Sequence, residues 1–360
     1  MNQRIDRIIK LLKLNSLDAM LIEDASNVFY LSQFTGTSAS LLITNNQAYA
    51  LVDFRYIEQA NRQCVDYNVL VYDQSMEGFT QRVNEIMIKE KINRIGFDGE
   101  KMVFNRVERL KEVIDVTWIS KDLTTLRAIK DKHEIALLKQ AITTGDKVYV
   151  DVFSKIEAGM KELDVVDLLY SALKKEKASG FSFDTIVASG VRSSMPHGVA
   201  SNKIIEPDDI VTIDWGVKKD YYCSDCTRTF FMSQPKNKQL IEIYELVLKA
   251  NRAAINAVKA GVSTKDIDYI ARTIIENGGY KNAFNHGTGH GLGIDIHEYP
   301  RLNPFTDVIL EPNMVITIEP GIYIEGVGGV RIEDVVVVKE DGCEVLTKLS
   351  KDLQYIAEGR

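Results

Sequence analysis

Four acidic residues lie inside strongly apolar segments of this chain, and they constrain its fold more than any other feature. Asp214 lies in IVTIDWG, Glu319 in MVITIEP and Glu333 in VRIEDVVVV. Asp225 lies in YYCSDCTRTFF, which also has the composition of a strand. A buried carboxylate without a partner is destabilising, so a fold that buries these segments must bring positive charge to them.

The first two acids are separated by VKKDYY, a polar segment that favours a turn. A turn centred between residues 219 and 220 would place Asp214 directly opposite Asp225 on adjacent antiparallel strands. Opposite residues share one face of a sheet, with their Cβ atoms about 4.5–5.5 Å apart. Two carboxylates at that distance repel each other unless a cation lies between them.

The second pair of acids repeats this arrangement with a glycine-rich connection. A turn centred on Gly326 would place Glu319 opposite Glu333. Four buried carboxylates need about four positive charges, which two divalent ions would supply. We therefore predict that all four acids converge on a dinuclear metal centre.

The stretch FNHGTGHGLGIDIHEY, residues 284–299, carries three of the five histidines of the chain. Its glycines disfavour a helix and are typical of backbone that closely approaches another group. We interpret this stretch as the source of a nitrogen ligand for the metal centre. Mostly oxygen ligands with one imidazole favour a harder ion such as manganese or cobalt over a structural zinc.

The chain divides into two predicted domains. Residues 1–122 alternate amphipathic helices with short apolar strands, which indicates an α/β domain. A polar segment then leads into a long helix, so we assign residues 123–360 to a second domain. Within it, AGMKELDVVDLLYSALKK resembles AGVSTKDIDYIARTII, and each copy leads into β-rich sequence. This repeat predicts two similar halves that face one another.

Charge and composition exclude several classes of function. The net charge of −7 argues against nucleic acid as a partner, because phosphate binding needs a basic surface. No apolar run approaches the ~18 residues of a membrane helix, and the N-terminus lacks the apolar core of a signal peptide, so we expect a cytoplasmic protein. Cys223 and Cys226 form a CxxC pair, but residues three apart on a strand face opposite ways. We therefore predict two buried thiols instead of a redox pair or half a zinc site.

Five segments of the second domain resemble, in order, the motif blocks of the pita-bread metallopeptidases: SGVRSSMPHG, TIDWG, HGTGHGLGIDIHE, TIEPGIY and GGVRIED. NVFYLSQFTGTSASLLIT and LVDFRYIEQA resemble the creatinase-type N-terminal domain of the proline-specific branch, and LRAIKDKHEIALLKQA resembles its linker helix. The resemblance covers almost the whole chain and is closest in kind to aminopeptidase P and Xaa-Pro dipeptidase (prolidase). It implies an α/β (α+β) architecture, with a creatinase-type α/β domain before a pita-bread domain of pseudo-two-fold halves.

The resemblance also implies a role for individual residues. The implied metal ligands are Asp214, Asp225, His290, Glu319 and Glu333. His197 and His297 would act as catalytic histidines near the scissile bond, and Glu319 would also carry a proton to the leaving nitrogen. His286 would line the substrate pocket, Arg331 would support the ligands, and Arg301 resembles an arginine of prolidases that would bind a substrate carboxylate.

The activity that the resemblance implies is metal-dependent hydrolysis of the Xaa-Pro bond, at the N-terminus of peptides or in dipeptides. Two divalent ions would activate a water to hydroxide; we expect Mn²⁺, with Co²⁺ or Zn²⁺ as alternatives. The expected partners are a small peptide substrate and a second copy of the chain, with no nucleic acid and no membrane. Two alternatives stay open: aminopeptidase versus dipeptidase, and a noncatalytic pita-bread module that binds a peptide or a protein.

Overall fold

The computed structural model describes residues 3–356 and consists of two compact units. The first unit ends at Leu126 and the second begins at Arg127, a few residues after the predicted boundary. Within residues 3–356, no helix combines the length and the apolar composition that crossing a membrane requires.

The first unit is built on a six-stranded mixed sheet. Its helices are α1 (Gln3–Leu14), α2 (Ala25–Ser32), α3 (Ile57–Gln63), α4 (Met76–Glu90) and α5 (Phe104–Lys111). Its strands are β1 (Ala19–Ile22), β2 (Ser40–Thr44), β3 (Ala48–Asp53), β4 (Asn68–Tyr72), β5 (Arg94–Asp98) and β6 (Thr117–Lys121). The strand order is β4-β3-β2-β1-β5-β6.

Hydrophobic spacing explains why these segments form these elements. Ile5, Ile8 and Leu12 are three or four residues apart, and this stripe of α1 is fully buried. Strands β1, β2 and β3 are buried at every position, as expected for central strands covered on both faces. The predicted α/β character of this part of the chain is confirmed.

The second unit contains four long helices and several antiparallel hairpins. Its helices are α6 (Lys132–Phe153), α7 (Glu162–Lys175), α8 (Lys238–Ala257) and α9 (Thr264–Asn277). The strands before α8 are β7 (Gly180–Phe181), β8 (Ile186–Ser189), β9 (Ile210–Trp215), β10 (Val217–Lys219), β11 (Tyr222–Cys223) and β12 (Cys226–Phe231). The strands after α9 are β13 (Gly289–Gly291), β14 (Glu298–Leu302), β15 (Val315–Ile318), β16 (Gly321–Ile324), β17 (Gly328–Arg331), β18 (Asp334–Lys339) and β19 (Gly342–Val345).

The element order of the second unit confirms the predicted repeat. Two helices precede a set of strands, and this sequence of elements then occurs again. Gly159 and Gly261, which lie at equivalent points of the two copies, both have positive φ angles of 95° and 84°. Glycine adopts this left-handed conformation without strain, so the same turn introduces α7 and α9. Ser263 caps α9, accepting a hydrogen bond from the backbone N–H of Lys265.

Candidate metal centre

Two interrupted hairpins carry the four acids, of which Asp214, Asp225 and Glu333 are buried. In the first hairpin, β9 pairs with β12 and β10 pairs with β11; Asp214 lies in β9, and Asp225 immediately precedes β12. In the second hairpin, β15 pairs with β18 and β16 pairs with β17. Glu319 and Glu333 lie in the breaks between these strands. In both hairpins, the regular pairing is interrupted next to the acids.

The predicted register of the first hairpin is wrong by one residue at the turn. Asp214 pairs with Thr227 instead of Asp225. The turn consists of residues 220–221, whose φ angles are both positive at 48° and 71°, so its centre lies one residue later than predicted. A two-residue turn with two positive φ angles matches the twist of the flanking strands. Asp225 consequently lies two residues before the partner of Asp214.

The predicted register of the second hairpin is confirmed. Ile318 pairs with Asp334 and Gly321 pairs with Arg331, so Glu319 and Glu333 fall at the same level between these two pairs. Gly326 lies in the turn with a φ of 75°.

His290 lies in β13 between two glycines that allow neighbouring strands to approach closely. A Cβ atom on Gly289 would lie 2.0 Å from the carbonyl oxygen of Thr317, and one on Gly291 would lie 2.3 Å from that of Tyr299. The group that this glycine-rich backbone approaches is therefore the adjacent backbone, and only the histidine reaches the acids. The glycines therefore follow from the close packing of β13 against its neighbours, and His290 supplies the expected nitrogen.

One cavity of about 650 Å³ brings together all the residues that the sequence singled out. Its walls include the predicted ligands and the predicted catalytic and substrate-binding residues: Asp214, Asp225, His290, Glu319, Glu333, His197, His286, His297, Arg301 and Arg331. The four acids therefore converge on one cavity.

The carboxylates in this cavity repel one another. Burial, followed by the charges of Asp214 and Glu319, raises the pKa of Asp225 well above its usual value. Burial, followed by Asp225 and Glu319, does the same to the pKa of Glu333. Both carboxyl groups would ionise readily only if a cation compensated their charges.

The hydrogen bonds around His290 leave one ring nitrogen directed at the acids. Its Nδ1 lies 3.0 Å from the carbonyl oxygen of Gly291, an acceptor, so Nδ1 carries the proton. Nε2 is then an acceptor, yet it lies 3.5 Å from a carboxylate oxygen of Asp225 and 3.3 Å from one of Glu319. Acceptors this close need a cation or a proton between them. A metal-binding histidine usually donates its other ring N–H to a backbone carbonyl, as Nδ1 does here.

Further contacts indicate that the predicted ligands suit divalent cations. One oxygen of each of the predicted ligands Asp214 and Glu333 is buried without a hydrogen-bond partner. Ligand atoms of Asp225, His290 and Glu333 lie within 4.8 Å of one another, which allows them to share an ion. Oxygen-rich sites with one imidazole suit Mn²⁺ and related ions. The residues present therefore fit the metals that the resemblance implies.

Hydroxyl groups fix the orientation of the acids. The Thr227 hydroxyl donates to Glu333 at 2.8 Å, and the Thr317 hydroxyl donates to Glu319 at 3.1 Å. The Thr227 hydroxyl also accepts from Nε of Arg331 at 3.1 Å. Neither threonine was predicted from the sequence, although each lies two residues from a predicted ligand, Thr227 from Asp225 and Thr317 from Glu319.

Arg331 and Tyr323 connect Asp214 to His286. The guanidinium of Arg331 donates to Asp214 at 2.7 Å and to the hydroxyl oxygen of Tyr323 at 2.8 Å. The Tyr323 oxygen lies 2.9 Å from Nε2 of His286, whose Nδ1 lies 2.7 Å from the carbonyl oxygen of Gly287. The hydroxyl therefore donates to Nε2 and Nδ1 carries the ring proton.

This network holds His286 in its neutral form. Burial, followed by the charge of Arg331, lowers the pKa of His286 to about 3. Both ring nitrogens of His286 have protein partners, Tyr323 and the carbonyl of Gly287. Because both nitrogens already have partners, we expect His286 to orient Tyr323 and Arg331 instead of forming a hydrogen bond with the substrate. Tyr323, within the motif TIEPGIY, was missed because nothing in the sequence connects it to a histidine 37 residues away.

The two predicted catalytic histidines lie on loops at the wall of the cavity. His297 precedes β14, and its ring packs edge-on against His290, with the ring centroids 4.4 Å apart. Partial burial, followed by the charges of His290 and Arg301, lowers the pKa of His297 to about 4. His197 is exposed to the cavity on the loop between β8 and β9.

A buried acid holds the loop of His197. Glu162, at the start of α7, is fully buried and forms an ion pair with Arg192. Its carboxylate also accepts from the backbone N–H and the hydroxyl of Ser189 and of Ser201. These residues lie on either side of His197, so Glu162 fixes both ends of the loop. Glu162 was not predicted from the sequence, because it has the pattern of an ordinary acid in the first turn of a helix.

A second buried acid holds the segment that contains His286. Asp268 of α9 is 1% exposed and pairs with Arg272 at 2.8 Å. It also accepts from the backbone N–H and the hydroxyl of Thr288. Arg272 in turn donates to the backbone carbonyls of Phe284 and His286.

The cysteines of the CxxC pair have separate environments. The Cys223 thiol donates to the carbonyl oxygen of Ile294 at 3.3 Å, and the Cys226 thiol donates to that of Glu333 at 3.8 Å. Both are free and buried, and burial raises the pKa of Cys223 to about 11. The prediction of two buried thiols is confirmed.

Comparisons with known proteins agree with this geometry. Residues 136–340 match the family described as Metallopeptidase family M24, and residues 4–129 match the Creatinase/Prolidase N-terminal domain. The chain is 38% identical to the Xaa-Pro dipeptidase of Pyrococcus furiosus, over 98% of this chain and 100% of that protein.

Solved structures give the same result. The Xaa-Pro dipeptidase of Bacillus anthracis superposes with a TM-score of 0.95 at 38% identity, covering 98% of this chain and 99% of that one. The X-Pro aminopeptidase of Thermotoga maritima gives a TM-score of 0.88 at 36% identity, with the same coverage of both chains. The chain is therefore a peptidase that belongs to metallopeptidase family M24.

Proposed function

We propose that this protein hydrolyses the bond between an N-terminal residue and proline. The observation that carries the proposal is the convergence of four carboxylates, three of them buried, and Nε2 of His290 on one cavity. Relatives that match the chain over almost its full length are named Xaa-Pro dipeptidases, which supplies the substrate class. The activity therefore rests on the site, and the proline preference rests on the relatives.

Five residues would hold two divalent ions in this enzyme: Asp214, Asp225, His290, Glu319 and Glu333. When bound, the ions would lower the pKa of a shared water and supply a hydroxide nucleophile near neutral pH. Thr227 and Thr317 donate hydrogen bonds to Glu333 and Glu319 and would hold these carboxylates in position for the ions. We propose Mn²⁺ as the physiological metal, with Co²⁺ or Zn²⁺ as alternatives.

The remaining polar residues of the cavity would act on the peptide. His297 and His197 lie at the cavity wall, where either can donate a hydrogen bond to the oxyanion that develops on the scissile carbonyl. We propose that Glu319 carries a proton to the departing proline nitrogen. That nitrogen has no N–H in the substrate, so a site for this bond cannot depend on recognising one.

Arg301 favours a dipeptidase over an aminopeptidase. It is an exposed residue of β14 that lines the cavity and lies opposite His290 in the strand pairing. A guanidinium at this position can bind the free carboxylate of a C-terminal proline. We expect Arg301→Leu to raise KM for Ala-Pro while leaving KM for Ala-Pro-Ala unchanged. If KM rises equally for both substrates, Arg301 does not recognise the carboxylate of a C-terminal proline, and the aminopeptidase alternative is favoured.

The alternative of a noncatalytic binding module agrees less well with the site. A module without metal would keep Asp225 and Glu333 buried near other acids, and burial and those acids raise the pKa values of both. We further propose that the enzyme acts in the cytoplasm as a homodimer. Light scattering of the purified protein measures the oligomeric state directly.

A metal-reconstitution assay tests the proposal. The chelated protein should be inactive, and added Mn²⁺ should restore release of the N-terminal residue from Xaa-Pro peptides. Asp225→Asn should lose both bound metal, measured by elemental analysis, and turnover. Lys236→Met, which breaks an exposed ion pair with Asp208, is the matched control and should keep both. Full activity of Asp225→Asn would show that the metal assignment is wrong.

A further inference from the structure

We propose that Lys130 and Arg127 position the catalytic loop of His297 through the buried carboxylate of Glu298. The inference deepens the proposed function, since it rests on a catalytic role for His297. It assigns a function to a cluster of buried charges that lies outside the predicted metal ligands. None of the three charged residues was identified from the sequence.

Glu298 directly follows His297, and its carboxylate lies between two cations. Nε of Arg127 donates to Oε1 at 3.0 Å, and Nζ of Lys130 donates to Oε2 at 3.0 Å. The side chains of Glu298 and Lys130 are 2% and 1% exposed, so neither charge can turn into water if its partner is lost. Burial alone would raise the pKa of Glu298, but the charges of Lys130 and Arg127 outweigh it and hold the pKa below its usual value.

The same carboxylate folds the loop that carries His297. Oε1 of Glu298 accepts from the backbone N–H groups of Ile294 and Asp295 at 3.0 and 3.2 Å. A Cβ atom on Gly293 would lie 2.4 Å from Oε2, so this turn closes directly on the carboxylate. Glu298 therefore determines the path of residues 293–298, and His297 is exposed to the cavity at the end of that path.

The cations are themselves fixed by the backbone of the second unit. The N–H of Lys130 donates to the carbonyl oxygen of Asn313 at 3.1 Å, and Ile129 forms a bridge with Met314 at the entry to β15. Arg127 also pairs with Asp295, the other acid of the loop. Both cations precede residue 136, where the match to the metallopeptidase family begins. The geometry of a catalytic loop thus depends on a segment that lies upstream of the matched peptidase region.

A different role would be purely structural, in which the ion pairs stabilise the fold without acting on His297. The two roles give different results when each substitution is combined with His297→Ala. If Lys130 acts through His297, the loss caused by Lys130→Met should disappear once His297 is absent. If Lys130 only stabilises the fold, the two losses in kcat should multiply.

The kinetic experiment uses the metal-loaded enzyme and Ala-Pro as substrate. We expect Lys130→Met to lower kcat by about 10-fold or more with KM little changed, because a hydrogen bond made only in the transition state would be misplaced. The double variant Lys130→Met/His297→Ala should be no slower than His297→Ala alone. Leu169→Ala, a buried core substitution in α7 away from this loop, is the control, and its effect should multiply with that of His297→Ala.

A second readout does not depend on activity. Histidine ring resonances of isotope-labelled protein, assigned with His297→Ala, should show the His297 signal shifted in Lys130→Met. The His286 signal, held by Tyr323, should keep its position. Lys130→Arg should restore the His297 signal and most of kcat. Glu298→Gln, which keeps the side-chain shape, is the second variant if Lys130→Met does not fold.

The outcomes separate the inference from the proposed role of His297. If His297→Ala keeps full kcat, the catalytic role of His297 is wrong, and the ring resonances alone decide whether Lys130 positions the loop. The positioning role would be overturned if the losses in kcat caused by Lys130→Met and His297→Ala multiply. It would also be overturned if the His297 signal is unshifted in both Lys130→Met and Glu298→Gln.

Discussion

Removing one carboxylate from the metal centre should stabilise the metal-free protein while weakening metal binding. Glu333 is 1% exposed, and burial, followed by the charges of Asp225 and Glu319, raises its pKa well above the usual value. Its pKa in the folded state is therefore higher than in the unfolded state. Such a group contributes stability below its unfolded pKa, and this contribution is lost as the pH rises through its folded pKa.

The size of the effect follows from proton binding. Between the two pKa values, the folded state retains a proton on Glu333 that the unfolded state has released. The free energy of unfolding then falls by about 1.4 kcal/mol for each pH unit. Glu333→Gln removes this titration, and its amide oxygen can still accept the hydrogen bond that Thr227 donates. Relative to wild type, the variant should gain about 1.4 kcal/mol per pH unit between those pKa values.

Urea unfolding of wild type and Glu333→Gln in a chelating buffer measures this difference, in steps from about pH 5 to about pH 8. Saturating metal should reverse the order, because an ion at a hundred times its Kd stabilises the wild type by about 2.7 kcal/mol. Glu344→Gln is the control: the hydrogen bond from Lys139 lowers the pKa of Glu344, so this variant should be less stable than wild type by an amount that stays constant over this pH range.

A metal-free Glu333→Gln protein that is less stable than wild type across this range would refute the reasoning. Glu333 would then have a counter-charge within the protein, and its burial among other acids would not require a metal ion. An unchanged difference with pH would lead to the same conclusion, since it would mean that Glu333 titrates normally in the folded state.

Three further predictions concern residues around the site. Tyr323→Phe removes the hydroxyl between Arg331 and His286, a loss of about 1 kcal/mol that should lower kcat several-fold at saturating metal; unchanged kcat would contradict the role of this network. Glu162→Gln removes the ion pair that fixes the loop of His197, so limited proteolysis should cut residues 190–201 faster than in wild type, and equal rates would contradict it. The thiol of Cys223 should resist alkylation until denaturant is added, as mapped by mass spectrometry, because burial raises its pKa to about 11; rapid labelling of native protein would revive a redox role.

The registers of the two hairpins show what the sequence can and cannot specify. The turn at Gly326 was located correctly because a glycine marks a position where positive φ is favoured. The turn at residues 220–221 uses an aspartate and a tyrosine in the same left-handed conformation, which sequence alone does not mark. The centre of that turn was therefore misplaced by one residue, and Asp214 acquired Thr227 as its partner.

The buried acids that hold the histidine loops were not predictable for a different reason. Glu162 and Asp268 lie on helices whose sequences alternate acids with apolar residues, so both resemble exposed helix positions. Lys130 and Glu298 are 168 residues apart, and no local pattern connects them. Burial of such a charge is decided by long-range packing, and one sequence does not show which distant side chain supplies the counter-charge.

The buried acids of this structure nevertheless fall into two kinds, according to whether an arginine or lysine is paired with the carboxylate. Glu162, Asp268 and Glu298 each have an arginine or lysine partner, and each holds a segment that carries a histidine of the cavity. Among residues 3–356, Asp225 and Glu333 have no arginine or lysine within ion-pair distance, and burial, followed by the charges of neighbouring acids, raises their pKa values. We propose that such an acid is structural where the protein provides the cation and binds metal where it does not; Asp214, a proposed ligand that also pairs with Arg331, is intermediate between the two kinds. If chelated protein kept Asp225 and Glu333 fully ionised near neutral pH, as infrared spectra of their carboxylates would show, this distinction would fail.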